Sequence, residues 1–167
     1  EGSPSSSLTL RIALTTPTLM AGHGMNAEVA RNGLQAFSFA WRHDDTQRLL
    51  YNMIDFSLNS RLRREWIVDL ARSSLLHQLF VAHGAGSSDP SDSSVAVTFS
   101  NIDGSHQSSL GMVRTAETYE GTYGHSCRID GLEPGYNDAV RSRVIVVHPW
   151  EFSRAEWVAA NGETGPT

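Results

Sequence analysis

Leu49-Leu-Tyr-Asn-Met-Ile-Asp-Phe-Ser-Leu58, Glu65-Trp-Ile-Val-Asp-Leu70, Leu75-Leu-His-Gln-Leu-Phe-Val-Ala-His83 and Val95-Ala-Val-Thr-Phe99 follow one another through the middle of the chain. Each is short and rich in β-branched and aromatic residues. They are separated by Asn59-Ser60, by Ser73-Ser74 and by the Gly/Ser/Asp tract from Gly84 to Ser94. Runs of this length bounded by turn residues predict successive strands and hairpins. Further candidates lie at Leu110 to Thr118, Ser126 to Ile129 and Val144 to His148, and Pro134-Gly135 suits the centre of a type II turn. The runs are spaced too closely for helical crossovers, so the expected fold is mainly β with flanking helices. The expected sheet is antiparallel or barrel-like, not doubly wound and parallel.

Outward from these strands, Asn26 to Trp41 sets Val29, Ala30, Leu34, Phe37 and Trp41 at intervals of three to four, which predicts an amphipathic helix capped by Asn26. Near the other end, Ser153-Arg-Ala-Glu156 has the form of a capping box, and Gly162 is placed to end the helix it starts. Residues 1–7 have the composition of a flexible lead-in. The Ser/Asp tract from Ser87 to Ser94 reads as a solvated surface loop. The expected organisation is a lead-in with one helix over 1–48 and the main domain over 49–167.

Composition narrows the chemistry. The chain has 167 residues, 40% of them hydrophobic, which suits one domain under a prior of about 150 residues per domain. All 13 basic residues are Arg, so Schiff-base, pyridoxal-phosphate and P-loop lysine chemistry are excluded. With 18 acidic residues the net charge is -5, which offers no field for phosphates and argues against nucleic acid as a partner. One cysteine, Cys127, forbids an intramolecular disulfide and a Cys-rich zinc module. No apolar run approaches the length of about 18 residues that spans a membrane.

Seven histidines, at 23, 43, 77, 83, 106, 125 and 148, show no ligand-pair spacing, so no metal or other cofactor is expected. His148 stands apart because Val144-Ile-Val-Val147 reads as a buried strand and the imidazole follows at its end, before Pro149. A strand terminus can present a base to a site or hold a histidine with its hydrogen bonds satisfied. Both readings stand on the residues alone. Gly124-His-Ser-Cys-Arg128 lacks the second small residue of a nucleophile elbow. Cys127 reads as a small hydrophobe in a strand, with Ser126 on the opposite face. The stretch Phe99 to Gly111 packs small, hydrogen-bonding residues between strands and could line a site or be an ordinary polar loop.

A set of blocks taken in order carries a family resemblance: Ile54-Asp-Phe-Ser57, Trp66-Ile-Val-Asp-Leu70, Val81-Ala-His-Gly84, Phe99-Ser-Asn101, Gly104-Ser-His-Gln-Ser-Ser-Leu-Gly111, Glu117-Thr-Tyr119, Arg128-Ile-Asp-Gly-Leu-Glu133, Asn137-Asp138 and Ile145-Val-Val-His148. In this the chain resembles the murein L,D-transpeptidase catalytic domains. The resemblance implies a mainly β catalytic domain and a cysteine nucleophile in a [Ser/Thr]-x-Gly-Cys motif some eighteen residues after a strand-ending histidine. Pro149 to Pro166 spans eighteen residues and Thr167 falls on the Ser/Thr position, so the expected cysteine lies beyond the sequence and the fold is expected to be incomplete at its C-terminus.

What the resemblance implies for function is acyl transfer on peptidoglycan stem peptides through a thioester, outside the cytoplasm, with His148 as the base. Ser108, Ser109, Gly111, Arg128 and Thr167 are the implied substrate-side positions. The chain as it stands is then expected to be inactive. Two alternatives remain open from the residues. One is a non-catalytic wall-binding domain without the nucleophile. The other is a hydrolase using Ser126 or Cys127 with His148 and Asp130. Oligomeric state has no sequence signal.

Overall fold

The computed structural model describes residues 16–43 and 45–165. The chain divides into two compact units, one formed by residues up to Asp55 with Arg63–Leu79, the other by Phe56–Leu62 with the chain from Phe80 onward.

The first unit contains helical residues 16–22 (α1), helix α2 (Ala27–Arg42) and strands β1 (Leu50–Ile54), β2 (Glu65–Asp69) and β3 (Ser74–Leu79). The strands form an antiparallel sheet in chain order, with a bulge at Ile67/Val68. Asn26 caps α2 as its side-chain type predicts, Oδ1 accepting from Glu28 N at 2.8 Å. The buried face of α2 is Ala30, Leu34, Phe37 and Ala40, and the Phe37 ring lies 5.1 Å from Tyr51 on β1. Gly33 interrupts this face for a reason of space: a Cβ there would stand 3.0 Å from Met53 Sδ, while its carbonyl accepts from Tyr51 Oη at 2.9 Å. Met20, Met25, Met53, Trp66, Val68 and Leu70 complete an apolar core. Trp66 is wholly buried, with its indole N–H donated to His23 O at 3.2 Å. Burial also pulls the Arg64 guanidinium down to about 10, against the opposing charge of Asp55.

The second unit is held differently. Its strands are β4 (Ser88–Asp89), β5 (Asp92–Ala96), β6 (Val113–Gly121), β7 (Gly124–Gly131) and β8 (Val146–Val147), with short 3₁₀ turns at Ala85–Ser87 and Glu151–Ser153 and helix α3 (Ala155–Asn161). β4 pairs with β5, and β6-β7-β8 form a second antiparallel sheet in that order. Among the described residues of this unit, the fully buried side chains are Ser60, Ser87, Ser94, Asn137 and Val140, four polar and one apolar. Hydrogen bonds define most of this interior, since an unpaired buried polar group costs about 1–3 kcal/mol: the side chains of Ser87, Ser94 and Asn137 are all bonded, and among the described residues only the Ser60 hydroxyl of these four is not. Asn137 shows how: Nδ2 donates to Leu110 O and Met112 O, and Oδ1 accepts from Glu133 N. Gly131 has to be glycine beside it, because a Cβ there would meet Asn137 O at 1.9 Å.

The mainly antiparallel β architecture with helices is as expected, and among the described residues no sheet closes into a barrel. Several local expectations are overturned. The tract from Ser87 to Ser94 is not a solvated loop, for it holds β4 and most of β5's start, and Ser87 and Ser94 are wholly buried with their hydroxyls bonded to Ser108 N and Asp92 Oδ1. Ser153 does not cap α3. Its hydroxyl donates to Trp150 O to close the 3₁₀ turn, and the helix starts after Arg154 with no side-chain cap. Gly162 ends α3 at φ 81°, as predicted, and Gly135 takes φ 74° with Tyr136 N bonded to Glu133 O.

The apolar run before His148 is the sharpest correction. Only Val146 and Val147 form β8, an edge strand, and Val144 and Val147 are exposed. Val144 lies at φ 57°, a left-handed conformation that a β-branched residue rarely adopts. The bonds Val144 N to Arg141 O and Ile145 N to Val140 O close the preceding turn in a Schellman pattern, whose left-handed position is usually glycine.

Candidate functional site

His148 sits immediately after β8 and is partly exposed. Its Nδ1 lies 2.9 Å from Pro149 O. A carbonyl only accepts, so Nδ1 carries a proton, and Nε2 is the ring nitrogen through which a proton can be exchanged. One face of the ring stacks on Tyr123, centroids 4.9 Å apart and planes 25° from parallel, and Trp150 meets the two rings edge-on at 5.6 and 4.7 Å. Trp150 in turn packs on Phe152 at 4.9 Å, and Phe152 on Trp157 at 4.4 Å. Gly165 N donates to Phe152 O at 3.0 Å, and a Cβ on Gly165 would stand 2.6 Å from Phe152 Cβ. The segment from His148 to Gly165 is thus folded on its own aromatic side chains, with Tyr123 added from the turn between β6 and β7.

The loop from Ser100 to Gly111 is built by close backbone approach. Gly84 and Gly86 let the chain touch His106 O and Ser105 O, where a Cβ would come within 2.4 and 2.3 Å. Ser108 Oγ accepts from Gly84 N at 3.0 Å, and Ser109 Oγ donates to Ser100 O at 2.9 Å. Gly111 adopts φ 97° against Glu133 and Asn137. Arg143, five residues ahead of His148, clamps the loop. Nη1 donates to Ser100 O and Ser109 Oγ at 2.5 and 2.7 Å, and Nη2 to Ser105 Oγ and Gln107 O at 3.0 and 2.6 Å. The hydroxyls of Ser108 and Ser109 are therefore both engaged, the first by Gly84 N and the second by Ser100 O and Arg143.

Arg128 lies on β7 over the Tyr119 ring at 4.6 Å, with Nε 3.3 Å from Glu117. The bulge between Thr115 and Thr118 sets two residues of β6 against Arg128 and re-aims Glu117. Arg141 grips that carboxylate at 2.8 and 3.0 Å and also bonds Asp130. These bonds draw Glu117 down to about 2 and Asp130 below its usual value, while Arg141 is raised. Asp130 is thus committed to arginines. Ser126 is buried and donates to Gly124 O at 2.8 Å, and Cys127 Sγ faces Ala116 O and Arg128 O. Neither is hydrogen-bonded to His148. Thr167 lies outside the described residues. Among the described residues no three His, Cys, Asp or Glu side chains gather as metal ligands, and no helix is long and apolar enough to cross a membrane.

Sequence reasoning missed Tyr123, Arg143 and His83. An arginine at the head of an apolar pre-strand run was the available signal for Arg143. His83, assigned no role from the sequence, is 5% exposed with Nε2 3.1 Å from Ser88 Oγ.

The sequence profile of the L,D-transpeptidase catalytic domain matches residues 21–167. The chain belongs to that family, whose members act on peptidoglycan. No curated protein and no solved structure matches the chain.

Proposed function

We propose that His148 is the general base of a cysteine-dependent acyl transfer on peptidoglycan stem peptides, carried out outside the cytoplasm. The observation that most supports this is the setting of the imidazole: Nδ1 is bonded to Pro149 O and the ring is stacked on Tyr123, which leaves Nε2 as the nitrogen through which a proton can be exchanged at a strand end. Cys127 is a poor nucleophile in this reading, since its sulfur faces two backbone carbonyls within the sheet. The nucleophile would instead be the cysteine of a [Ser/Thr]-x-Gly-Cys motif whose first position is Thr167.

In the first half-reaction Nε2 takes the thiol proton and the thiolate attacks the stem-peptide carbonyl. A C–S bond forms, the C–N bond breaks, and the proton passes to the leaving D-amino acid. An acceptor amine then attacks the thioester, the C–N bond forms as the C–S bond breaks, and His148 receives the amine's proton. The 100–111 loop, held by Arg143, supplies one wall for the stem peptide.

The test is intact-mass analysis of the complete gene product after exposure to a thiol-acylating β-lactam. A stoichiometric adduct on a cysteine following Thr167, abolished by His148→Ala, is the expected result. An adduct on Cys127 would overturn the placement of the nucleophile. Retention on isolated cell wall without any adduct would replace the enzyme by a wall-binding domain. Recovery of the product in the cytoplasmic fraction would remove the cell-wall assignment.

A further inference from the structure

The second unit contains a cavity of about 160 Å³ lined by His83, Ser88, Ser93, Glu163, Thr164 and Gly165. Gly162, in the left-handed conformation, ends α3 and turns the chain, and the Gly165 N–H bond to Phe152 O fixes the returning strand of backbone. Glu163 is held over the cavity by one hydroxyl, Ser93 Oγ, at 2.9 and 3.0 Å from its two oxygens. Asp92, Glu117 and Asp130 in the same unit each carry an arginine, but none of the ion pairs among the described residues includes Glu163. The chain has no lysine that could supply that charge. The opening is therefore lined by a carboxylate without an ion-pair partner among the described residues, three hydroxyls and an imidazole engaged with Ser88.

Such a lining accepts hydrogen bonds and favours positive charge. A primary ammonium, a compact cation with three donors, matches a single carboxylate surrounded by hydroxyl oxygens. A divalent metal fits less well, because no three carboxylate, imidazole or thiol ligands gather among the described residues. The volume is below the roughly 300 Å³ at which pockets begin to hold whole small ligands, so the end of one side chain enters and no more. We propose that this cavity binds the terminal ammonium of a lysine-type or diamino-acid side chain.

A protonated amine held by a carboxylate has no lone pair, so the bound group is a recognition handle and not the attacking amine. Its place supports that role, since Gly165 backs onto Phe152, Phe152 onto Trp150, and Trp150 onto His148. Assigning the handle to the unreacted side-chain amine of a stem peptide rests on the transpeptidase reading above, whereas the ammonium site itself does not.

The experiment is an NMR titration of the isotope-labelled complete gene product with Nα-acetyl-L-lysine, and with Nα,Nε-diacetyl-L-lysine as the uncharged control. Expected is a saturable response of the His83 ring and the Gly165 amide to the first probe only. Glu163→Gln should weaken it about tenfold or more, and Glu163→Asp less. Ser93→Ala, which frees the carboxylate without removing it, should weaken it several-fold, with the Tyr123 and His148 ring signals reporting an intact fold. Equal response to both probes, no saturable response, or indifference to Glu163→Gln would overturn the proposal. A Glu163-dependent response in a protein that forms no β-lactam adduct leaves the ammonium site standing and overturns only the transpeptidase reading. An adduct without the response does the reverse.

Discussion

Tyr123 lies face to face with His148, ring centroids 4.9 Å apart, although the tyrosine comes from the turn between β6 and β7 and the histidine from the end of β8. The stack restrains the imidazole on one side while the Pro149 carbonyl restrains it at Nδ1. Aromatic pairs of this kind contribute about 0.5–1.5 kcal/mol beyond buried area. Tyr123→Phe should therefore leave stability unchanged, and Tyr123→Ala should lower it by about 1 kcal/mol. Urea unfolding reads the stability, and the His148 ring-proton shifts read the stack. A Tyr123→Ala protein with unshifted His148 signals would show that the stack is absent in solution.

Val144 occupies a left-handed position at φ 57° that closes the turn ahead of β8. A side chain there costs on the order of 1–2 kcal/mol, which glycine avoids. Val144→Gly should raise unfolding free energy by about 1 kcal/mol, because 62% of the valine is exposed and little packing is lost. Thermal denaturation checks the sign. A fall in the midpoint would mean that the valine contacts outweigh the backbone strain.

The same residue shows where sequence reading reached its limit. Val144-Ile-Val-Val147 has the composition of a strand, and only the hydrogen bonds from Val144 and Ile145 back to Arg141 and Val140 withhold its first half from β8. The helix α2, its Asn26 cap and the antiparallel order of strands were legible because period, cap type and spacing are local properties. The burial of Ser87 and Ser94 was not, since it depends on hydrogen bonds made by a distant loop and by Asp92. His148 could be singled out from its place after a strand and before a proline. Glu163 could not be joined to Ser93 across 70 residues, nor Arg143 to Ser105 across 38, by any pattern within one element.

Arg143 makes four hydrogen bonds to the 100–109 loop, all to neutral oxygens. Removing the guanidinium leaves the carbonyls of Ser100 and Gln107 without this donor. Since bonds to charged groups contribute about 1.5–3 kcal/mol, Arg143→Met should destabilise by about 2 kcal/mol after allowing for partial exposure. Arg143→Lys should recover only a fraction, because an ammonium cannot span the fork. Amide hydrogen exchange at Ser108 and Ser100 should accelerate in the Met variant more than exchange in β6 and β7. Uniform acceleration across the second unit would show that Arg143 holds the whole unit and not the loop.

Glu117 gives the clearest dependence on pH. Its hydrogen bonds from Arg141, with the nearby charges of Arg141 and Arg128, bring its carboxyl from the ordinary 4.5 down to about 2 in the folded protein. A folded-state value below the unfolded one means the unfolded chain binds the proton first as pH falls. The stabilisation is therefore fully present above pH 4.5, declines as pH drops below that value, and is gone beneath about 2. Because the carboxylate is exposed, salt should weaken the effect. Glu117→Gln should flatten the stability profile between pH 5 and pH 2 relative to the parent while changing little between pH 6 and pH 8 in slope. Chemical denaturation at a series of pH values checks this, and an unaltered acid slope in the Gln variant would show that Asp130 or another carboxylate, not Glu117, carries the acid sensitivity.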